Sequence, residues 1–253
     1  SRLGGFPVSL VVAAPRVSDV DRITRVASTF DRHRRARSTL CSASAEVLAI
    51  ASAGVTLMSD RHNGPVCHSD ERSRALDELQ FSLGEGPNFD AFAECQGVAE
   101  PDLEHARPAR WPNFTASALE LGTRGVFALP LTAGTRCIGV LSLYYDVAGE
   151  LSADQRADGL VVADTVARSI LEAQSRNRTD GLAVELDGAA SHRAEVHQAA
   201  GMVAVQLGVP VADAEVRLRA HAYAANRPVV DVARDIVKRR LRLIHDGPRL
   251  KSG

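Results

Sequence analysis

The residues most clearly suited to binding another molecule are cations near the C-terminus. Arg234, Lys238 and Arg242 are spaced i, i+4 and i+8, so they would share one face of a helix, with Arg239 beside them. A row of cations suits contacts with nucleic-acid phosphates, because each contact releases condensed counterions. The alternative is a solvated helix surface whose cations are favoured near the helix C-terminus.

The preceding segment adds residues that can hold unpaired bases. Arg219 and Tyr223 are four residues apart on a predicted helix, and a guanidinium plane and an aromatic ring both support stacked bases. Asn226 and Arg227 follow at a predicted turn. The alternative is that Tyr223 lies at the edge of a core with its hydroxyl group in water.

The charge of the chain is divided unevenly between its two parts. The 253 residues carry a formal net charge of −1, yet from residue 217 onward ten Lys and Arg residues accompany only three Asp residues. Such a basic C-terminal part on a nearly neutral chain is typical of an interaction module. The composition, with 45% hydrophobic residues, indicates a globular protein with a sizeable core.

Three predicted helices position the C-terminal cations. The first runs from about His192 to Leu207 and ends at Gly208, the second begins near Pro210, and the third covers Val229 to Ile244. Short turns between three amphipathic helices predict a small bundle.

The N-terminal part alternates predicted helices and strands. Its strongest signal is a hairpin of two strands, Gly125 to Leu131 and Cys137 to Tyr145. Gly181 and Gly188 interrupt the helical pattern after it, and we place a linker over 177–190. Helices are further predicted over 18–37, 38–51, 71–81, 89–95, 113–122 and 153–176, and a strand over 54–59.

The motif LGEGP at Leu83 to Pro87 has two interpretations. It could form a loop that admits a ligand close to the backbone amides, since glycine has no side chain, or it could be a structural turn. Trp111, Phe127 and Tyr144 also have two interpretations, because such aromatic residues either line a pocket or fill a core.

Several classes of function have no support in the sequence. No GxSxG motif is present, and the cysteines Cys41, Cys67, Cys95 and Cys137 are scattered, so no enzyme activity is expected. The Cys67-His68 pair with His62 nearby has poor spacing for a metal, and we expect neither metal nor cofactor. Sparse cysteines and an apolar opening run too short to span a membrane favour a cytoplasmic location.

The segment from Ala194 to Leu241 resembles an ANTAR domain. The ordered set of residues that carries the resemblance is Ala199, Gly201, Met202, Leu207, Gly208, Ala214, Leu218, Arg219, Ala222, Val232 and Ala233. ANTAR domains are RNA-binding modules of bacterial transcription antiterminators, and they act as dimers on paired stem-loops in nascent transcripts. Many members carry a lysine just before the glycine that corresponds to Gly201, where this chain has Ala200.

The resemblance implies a homodimer whose C-terminal module binds tandem stem-loops of RNA. Combined with the cations described above, it gives the candidate RNA-binding residues Gln198, Gly201, Arg219, Tyr223, Asn226, Arg227, Arg234, Lys238, Arg239 and Arg242.

The segment from about 18 to 175 resembles the GAF domains that are fused to ANTAR modules. The matching pieces are 81–92, the Trp111-Pro112 pair, 125–131 and 138–145. The resemblance implies an antiparallel sheet flanked by helices that binds a small ligand or a partner protein, or dimerises. Related sequences often have cysteine after LGEGP, where this chain has Asn88. The candidate ligand-binding residues are Gly84, Glu85, Gly86, Asn88, Trp111 and Phe127.

Together these features predict an α+β protein that regulates transcription antitermination in response to a signal. Its predicted parts are an N-terminal extension (1–17), a GAF domain (18–176), a linker (177–190), an ANTAR domain (191–245) and a tail (246–253). The alternative is a DNA-binding helix-turn-helix regulator, because a small basic three-helix module also suits duplex DNA. In that case the GAF domain would be a dimer platform, with helices 18–37 and 153–176 paired across a two-fold axis.

Overall fold

The structure, a computed structural model, describes residues 17–35, 39–58, 63–106, 110–175, 181–225 and 227–243. The strands are β1 (Ser52–Met58), β2 (Asn63–His68), β3 (Val98–Glu100), β4 (Gly125–Ala133) and β5 (Arg136–Tyr145). The helices are α1 (Val17–Arg35), α2 (Leu40–Leu48), α3 (Glu71–Leu83), α4 (Pro87–Glu94), α5 (Pro112–Glu120), α6 (Ala153–Ser175), α7 (Gly181–Leu207), α8 (Val211–Ala224) and α9 (Val229–Val237).

The five strands form one antiparallel sheet in the order β2-β1-β5-β4-β3. The predicted hairpin is confirmed: β4 and β5 pair from Gly125 with Tyr145 to Ala133 with Arg136. Gly134 in the connecting turn has a φ of 63°, a conformation that glycine adopts without steric cost. We call α1–α6 with β1–β5 the sheet domain.

Both faces of the sheet are covered by helices. Side chains alternate along β4, so Phe127 and Leu129 face a core that includes residues of α1, α2 and α6, whereas Val126 and Ala128 face a second core. The second core includes residues of α3, α4 and α5, among them Phe114. This arrangement explains why β4 and β5 are almost continuously apolar in sequence.

Helices α7, α8 and α9 form the C-terminal bundle. Its core is almost entirely aliphatic and includes Val203, Leu218 and Ile236, none of which is exposed. The predicted breaks are confirmed, because α7 ends before Gly208 and proline stands immediately before both α8 and α9. The expected α+β class, a sheet flanked by helices followed by a three-helix bundle, is therefore observed.

The prediction that α9 extends to Ile244 is wrong. The helix ends at Val237 because Arg239 adopts a left-handed conformation with a φ of 57°. The Arg240 amide then donates to the Asp235 carbonyl and the Arg239 amide to the Ile236 carbonyl, which is a Schellman motif. The chain turns back, and Leu241 and Leu243 pack against the core of the C-terminal bundle.

The prediction that α7 begins near His192 is also wrong. The helix begins at Gly181, so 181–190 of the expected linker are helical, and 176–180 lie outside the described residues. A glycine inside a helix costs only about 1 kcal/mol, and each further helical residue adds a hydrogen bond. Gly181 is the first residue of the helix, and Gly188 does not stop a helix that is anchored by the packing of its C-terminal half. The extension up to residue 16 and the tail also lie outside the described residues.

Two edge strands were not predicted. β2 contains Gly64 and Pro65, residues that usually argue against a strand, but it lies at the edge of the sheet and pairs with β1 through an irregular register near Pro65. Proline is tolerated at such edge positions and bulges. β3 has only three residues, too few for a periodic signal.

The C-terminal bundle packs on the sheet domain. α7 contacts β2, and α8 and α9 contact α3. Phe81 of α3 is partly buried against the core of the bundle. No single helix among the described residues has the length and apolar composition to cross a bilayer; the segments Ala194–Leu207 and Val211–Ala224 meet these criteria only together, with a bend of 104° between them.

Candidate functional site

The end of the C-terminal bundle beyond α9 carries four exposed cations. We call Lys238, Arg239, Arg240 and Arg242 the free end of the bundle. None of the four forms a salt bridge with any residue that the structure describes. Because α9 ends at Val237, Lys238 and Arg242 do not continue the helical row from Arg234, and the predicted cationic face is corrected to a cluster at the helix C-terminus. Cations are favoured at this position by the helix dipole.

Arg234 is instead part of an ion-pair network inside the bundle. Its guanidinium group lies 3.1 Å from Glu195 of α7 and 2.9 Å from Asp231. Hydrogen bonds to Glu195 and the charge of Asp231 raise the pKa of Arg234. This side chain therefore connects α9 to α7 and is less available to a phosphate than the cations of the free end.

Arg227 is exposed and lies 2.6 Å from Asp235. The hydrogen bond that it donates holds the pKa of Asp235 below its usual value. The neighbouring candidate Asn226 lies outside the described residues.

Arg219 and Tyr223 do not present a joint open surface. Tyr223 is 46% exposed, but Arg219 is half-buried beside the sheet domain. A Cβ built on Gly84, at the end of α3, would lie 3.5 Å from Nε of Arg219. Burial lowers the pKa of Arg219, against the opposing charge of Glu215. In this arrangement of the domains, Arg219 is only partly accessible to solvent.

Helix α7 has one open face and one covered face. Gln198 is exposed, Val205 is 85% exposed, and a Cβ built on Gly201 would meet nothing within 4 Å. Ala200, at the position where many ANTAR domains carry lysine, is completely buried although it is not part of the aliphatic core of the bundle. Ala200 is therefore closed to solvent, whereas there is open space beside the next residue, Gly201.

The LGEGP motif forms the turn between α3 and α4. Gly84 has a φ of 68° and ends α3, while Gly86 has a φ of 136° and precedes α4. The Glu85 carboxylate accepts hydrogen bonds from the amides of Asn113 and Phe114, at 2.9 and 3.0 Å, and so caps α5. These contacts favour the structural-turn interpretation for all three residues.

Trp111 and Phe127 are core residues in this structure. The Trp111 indole donates to Asp90 at 3.1 Å and meets the Phe114 ring edge-on. Phe127 packs edge-on against Tyr145 on the sheet face opposite to α3 and α4. The expectation that they line a pocket with Asn88 is therefore not met.

Asn88 belongs to a buried polar network that the sequence analysis did not identify. Its side-chain amide donates to Asp77 at 3.1 Å and accepts from Ser142 at 3.0 Å. The Tyr144 hydroxyl donates to the same Asp77 oxygen at 2.5 Å and accepts from Gln80 at 2.8 Å. Burial and the Asp77 charge raise the pKa of Tyr144 well above its usual value. The available signal was the placement of Asp77 and Gln80 beside Leu76 on the apolar side of α3.

A cavity of about 280 Å³ lies between this network and the C-terminal bundle. Asp77, Gln80 and Asn88 line it from the sheet domain, and Val229 and Arg234 line it from α9. Of the candidate ligand residues, only Asn88 reaches this cavity.

The cysteines are not all separate, which corrects the sequence expectation. Cys41 and Cys67 form a disulfide, and both are buried. Cys95 and Cys137 are free, and burial raises the pKa of Cys137 to about 12. No group of three or more metal-ligating side chains occurs among the described residues, which do not include His62.

The geometry defines a sheet domain with helices on both faces, joined to a basic three-helix bundle. Residues 185–237 match the family model of the ANTAR domain, so this segment of the chain is an ANTAR domain. The antiparallel sheet flanked by helices agrees with the α+β fold that the sequence motifs predict for the N-terminal part.

Solved structures similar to the chain include three proteins with GAF domains. The GAF domain of a phosphoenolpyruvate-protein phosphotransferase from Coxiella burnetii is 14% identical, with 62% of this chain and 95% of that chain covered and a TM-score of 0.49. The GAF domain of a two-component sensor histidine kinase from Bacillus halodurans is 13% identical, with 63% of this chain and 98% of that chain covered and a TM-score of 0.42. A GAF domain/HD domain protein from Geobacter sulfurreducens is 14% identical, with 59% of this chain and 94% of that chain covered and a TM-score of 0.40. No curated protein sequence matches the chain.

Proposed function

We propose that this protein is a signal-responsive RNA-binding regulator of transcription antitermination. The observation that carries the proposal is the ANTAR match over 185–237, which is followed directly by the four exposed cations of the free end. The ANTAR domain binds stem-loop RNA in nascent transcripts, and the sheet domain receives the signal. The proposal places the protein in the cytoplasm and includes no catalytic step.

The free end supplies the electrostatic part of RNA binding. Each cation that neutralises a phosphate releases a counterion, so affinity falls with increasing salt. Tyr223 has an exposed ring that can stack on an unpaired loop base, and Arg217 on the same helix is also exposed. Arg217 extends the set of RNA-binding candidates that the sequence motifs gave.

The docked bundle supplies the responsive part. Arg219 is a candidate RNA contact, yet it lies against Gly84 of the sheet domain. RNA and the sheet domain therefore compete for this side chain. A signal that favours one domain arrangement over the other changes RNA affinity by that difference in binding free energy.

A homodimer is part of the proposal. Apolar side chains on α1 and α6 are exposed, among them Val20, Ile23 and Leu160, each between 44% and 51%. Their burial against a second copy would stabilise a two-fold pair of these helices. Sedimentation of the full chain as a dimer is the expected result, and a monomer at micromolar concentration would contradict this part.

A gel-shift titration with paired stem-loop RNA tests the proposal. The full chain should bind, and unlabelled duplex DNA of equal length should displace the RNA only weakly. Replacing both Lys238 and Arg242 with Ala should weaken binding about tenfold. It should also reduce the slope of log K against log salt by the amount expected for the loss of about two phosphate contacts. Displacement by duplex DNA at equal concentration would favour a DNA-binding regulator instead.

A further inference from the structure

We propose that Cys41 and Cys67 form a reversible thiol–disulfide site, and that reduction of their disulfide by a dithiol loosens the docking of the C-terminal bundle. This inference rests on the proposed function, because it assigns the signal to a chemical class, the dithiols and peroxides that exchange electrons with cysteines. Formation of the bond and the arrangement of the domains can both be measured without RNA.

The disulfide is unusual for the compartment in which we place the protein. Disulfides are rare in a reducing cytosol, where those that form are usually transient and serve redox sensing or catalysis. The sheet domain also contains Cys95 and Cys137, and both of these remain free thiols. A bond confined to one pair of cysteines in such a setting is typical of a redox-responsive site.

The bond joins a buried helix to an edge strand. Cys41 lies in α2 and is 0% exposed, whereas Cys67 lies in β2 and is 6% exposed. β2 has a neighbouring strand on one side only, and its register against β1 shifts at Val66, directly beside Cys67. Segments with fewer contacts open at a lower free energy than central strands, so Cys67 is the sulfur that a reductant reaches first.

Reduction transfers two electrons and two protons from the dithiol to the cysteine pair. A thiolate of the dithiol attacks Sγ of Cys67, the S–S bond breaks, and Cys41 leaves as a thiolate that takes up a proton. The second thiol of the reductant then attacks the reductant sulfur of the mixed disulfide, so the reductant leaves as a disulfide and Cys67 becomes a thiol. Hydrogen peroxide restores the bond by oxidising the two thiols, and it is itself reduced to two molecules of water.

Reduction displaces β2 relative to α2. Two thiol sulfurs cannot approach each other as closely as two bonded sulfurs, so the segments that carry them must move apart. α2 is held between α1, β1 and α6, whereas β2 is an edge strand. The displacement therefore falls mainly on β2.

β2 is also part of the surface on which the bundle docks. α7 contacts β2, and Pro65 and His68 of this strand line the interdomain cavity together with Val196 and Val229 of the bundle. A shift of β2 changes the contacts on which docking depends, so it favours the separated arrangement. In that arrangement Arg219 no longer lies beside the sheet domain and is fully accessible to RNA.

The first test compares two redox states of the unmodified full chain. One sample is reduced with dithiothreitol, the other is oxidised with a stoichiometric amount of hydrogen peroxide, and both are alkylated with iodoacetamide under denaturing conditions. Intact mass should show four alkylated cysteines after reduction and two after oxidation, with Cys41 and Cys67 protected in peptide maps. The same number of alkylated cysteines in both samples would overturn the proposal.

Scattering and RNA binding measure the consequence of the bond. The reduced chain should have a larger radius of gyration than the oxidised chain. It should also bind paired stem-loop RNA about fivefold more tightly, which is a coupling of the size usual between two sites. Identical radii and affinities in the two states would contradict the switch and leave only a structural cross-link.

Cys67→Ser and Cys137→Ser form a matched pair of variants. Cys67→Ser cannot form the bond, so peroxide should no longer change its radius of gyration or its RNA affinity, and both should resemble those of the reduced wild type. Cys137→Ser retains the bond and should respond as the wild type does. A response that persists in Cys67→Ser would assign the redox effect to another cysteine and overturn the proposal. The wild-type comparison decides the question if Cys67→Ser does not fold.

The same samples separate this inference from the proposed function. If the radius of gyration follows the redox state but no stem-loop RNA is shifted in either state, the regulator proposal fails and the redox site stands. If RNA is shifted equally in both states and the radius of gyration is unchanged, the redox site fails and the RNA-binding proposal stands.

Discussion

Two sides of the C-terminal bundle carry residues of the same chemical type in opposite situations. On the docked side, Arg219 lies against Gly84 and Arg234 is paired with Glu195. On the free end, Lys238 and Arg242 are exposed and form no salt bridge with a described residue. The comparison shows that the cations of the free end are open to solvent, whereas Arg219 and Arg234 are engaged by neighbouring residues.

The free end exists because α9 stops early. A non-glycine residue in the left-handed conformation costs about 1 kcal/mol, and Arg239 bears this cost. The two hydrogen bonds of the Schellman motif and the packing of Leu241 and Leu243 on the bundle core offset it. The turn projects Lys238, Arg239 and Arg240 from the helix terminus rather than along one face.

Ala200→Lys should have the largest effect, both on the docking of the bundle and on RNA affinity. Ala200 is completely buried, so a lysine there would bury an unpaired ammonium group, at a cost of roughly 3 to 5 kcal/mol if the domains stayed docked. We therefore expect the bundle to separate from the sheet domain. Small-angle scattering should show a larger radius of gyration, and RNA affinity should rise because Arg219 becomes accessible.

Val205→Lys is the matched control for this variant. Val205 is on the same helix and 85% exposed, so the same new charge meets water and should leave the radius of gyration unchanged. An Ala200→Lys protein as compact as Val205→Lys, with unchanged RNA affinity, would show that burial at this position does not hold the domains together.

Arg234→Ala and Arg242→Ala should separate a structural cation from an RNA-binding one. Arg234→Ala removes the contacts to Glu195 and Asp231, so it should lower the Tm and leave the salt dependence of RNA binding unchanged. Arg242→Ala should do the reverse and reduce the slope of log K against log salt by about one phosphate contact. The two quantities come from thermal unfolding and from gel-shift titrations at several salt concentrations.

The opposite pattern would break the distinction between the two sides. A reduced salt slope for Arg234→Ala would mean that this guanidinium leaves its carboxylate partners when RNA binds. An unchanged slope for Arg242→Ala would remove the free end from the RNA interface.

Much of the fold could be predicted from local patterns. The hairpin of β4 and β5, the helices of both domains and the ends of α7 and α8 follow from apolar periodicity, Gly208 and proline positions. The end of α9 could not, because no glycine or proline marks it and the turn depends on Leu241 and Leu243 reaching the bundle core. β2 was missed because Pro65 is tolerated only through its edge position and irregular pairing.

The candidate sites were less predictable, because both depend on contacts between distant segments. Sequence motifs identified the cations and Asn88, but not that Arg219 would lie against Gly84. The polar network joins Asp77 of α3 to Tyr144 of β5, and no spacing rule links residues so far apart. Its cavity is completed by the bundle, so neither domain alone defines it.

Gly201→Ala should have the smallest effect and tests whether the open face of α7 meets RNA. A Cβ at this position meets nothing within 4 Å, so replacing a helical glycine should stabilise the protein by about 0.5 to 1 kcal/mol. If the RNA backbone approaches α7 closely there, affinity should fall several-fold despite the greater stability. Gly208→Ala is the control: its φ of 64° disfavours alanine, so this variant should be less stable. A more stable Gly201→Ala protein with full RNA affinity would exclude Gly201 from the interface.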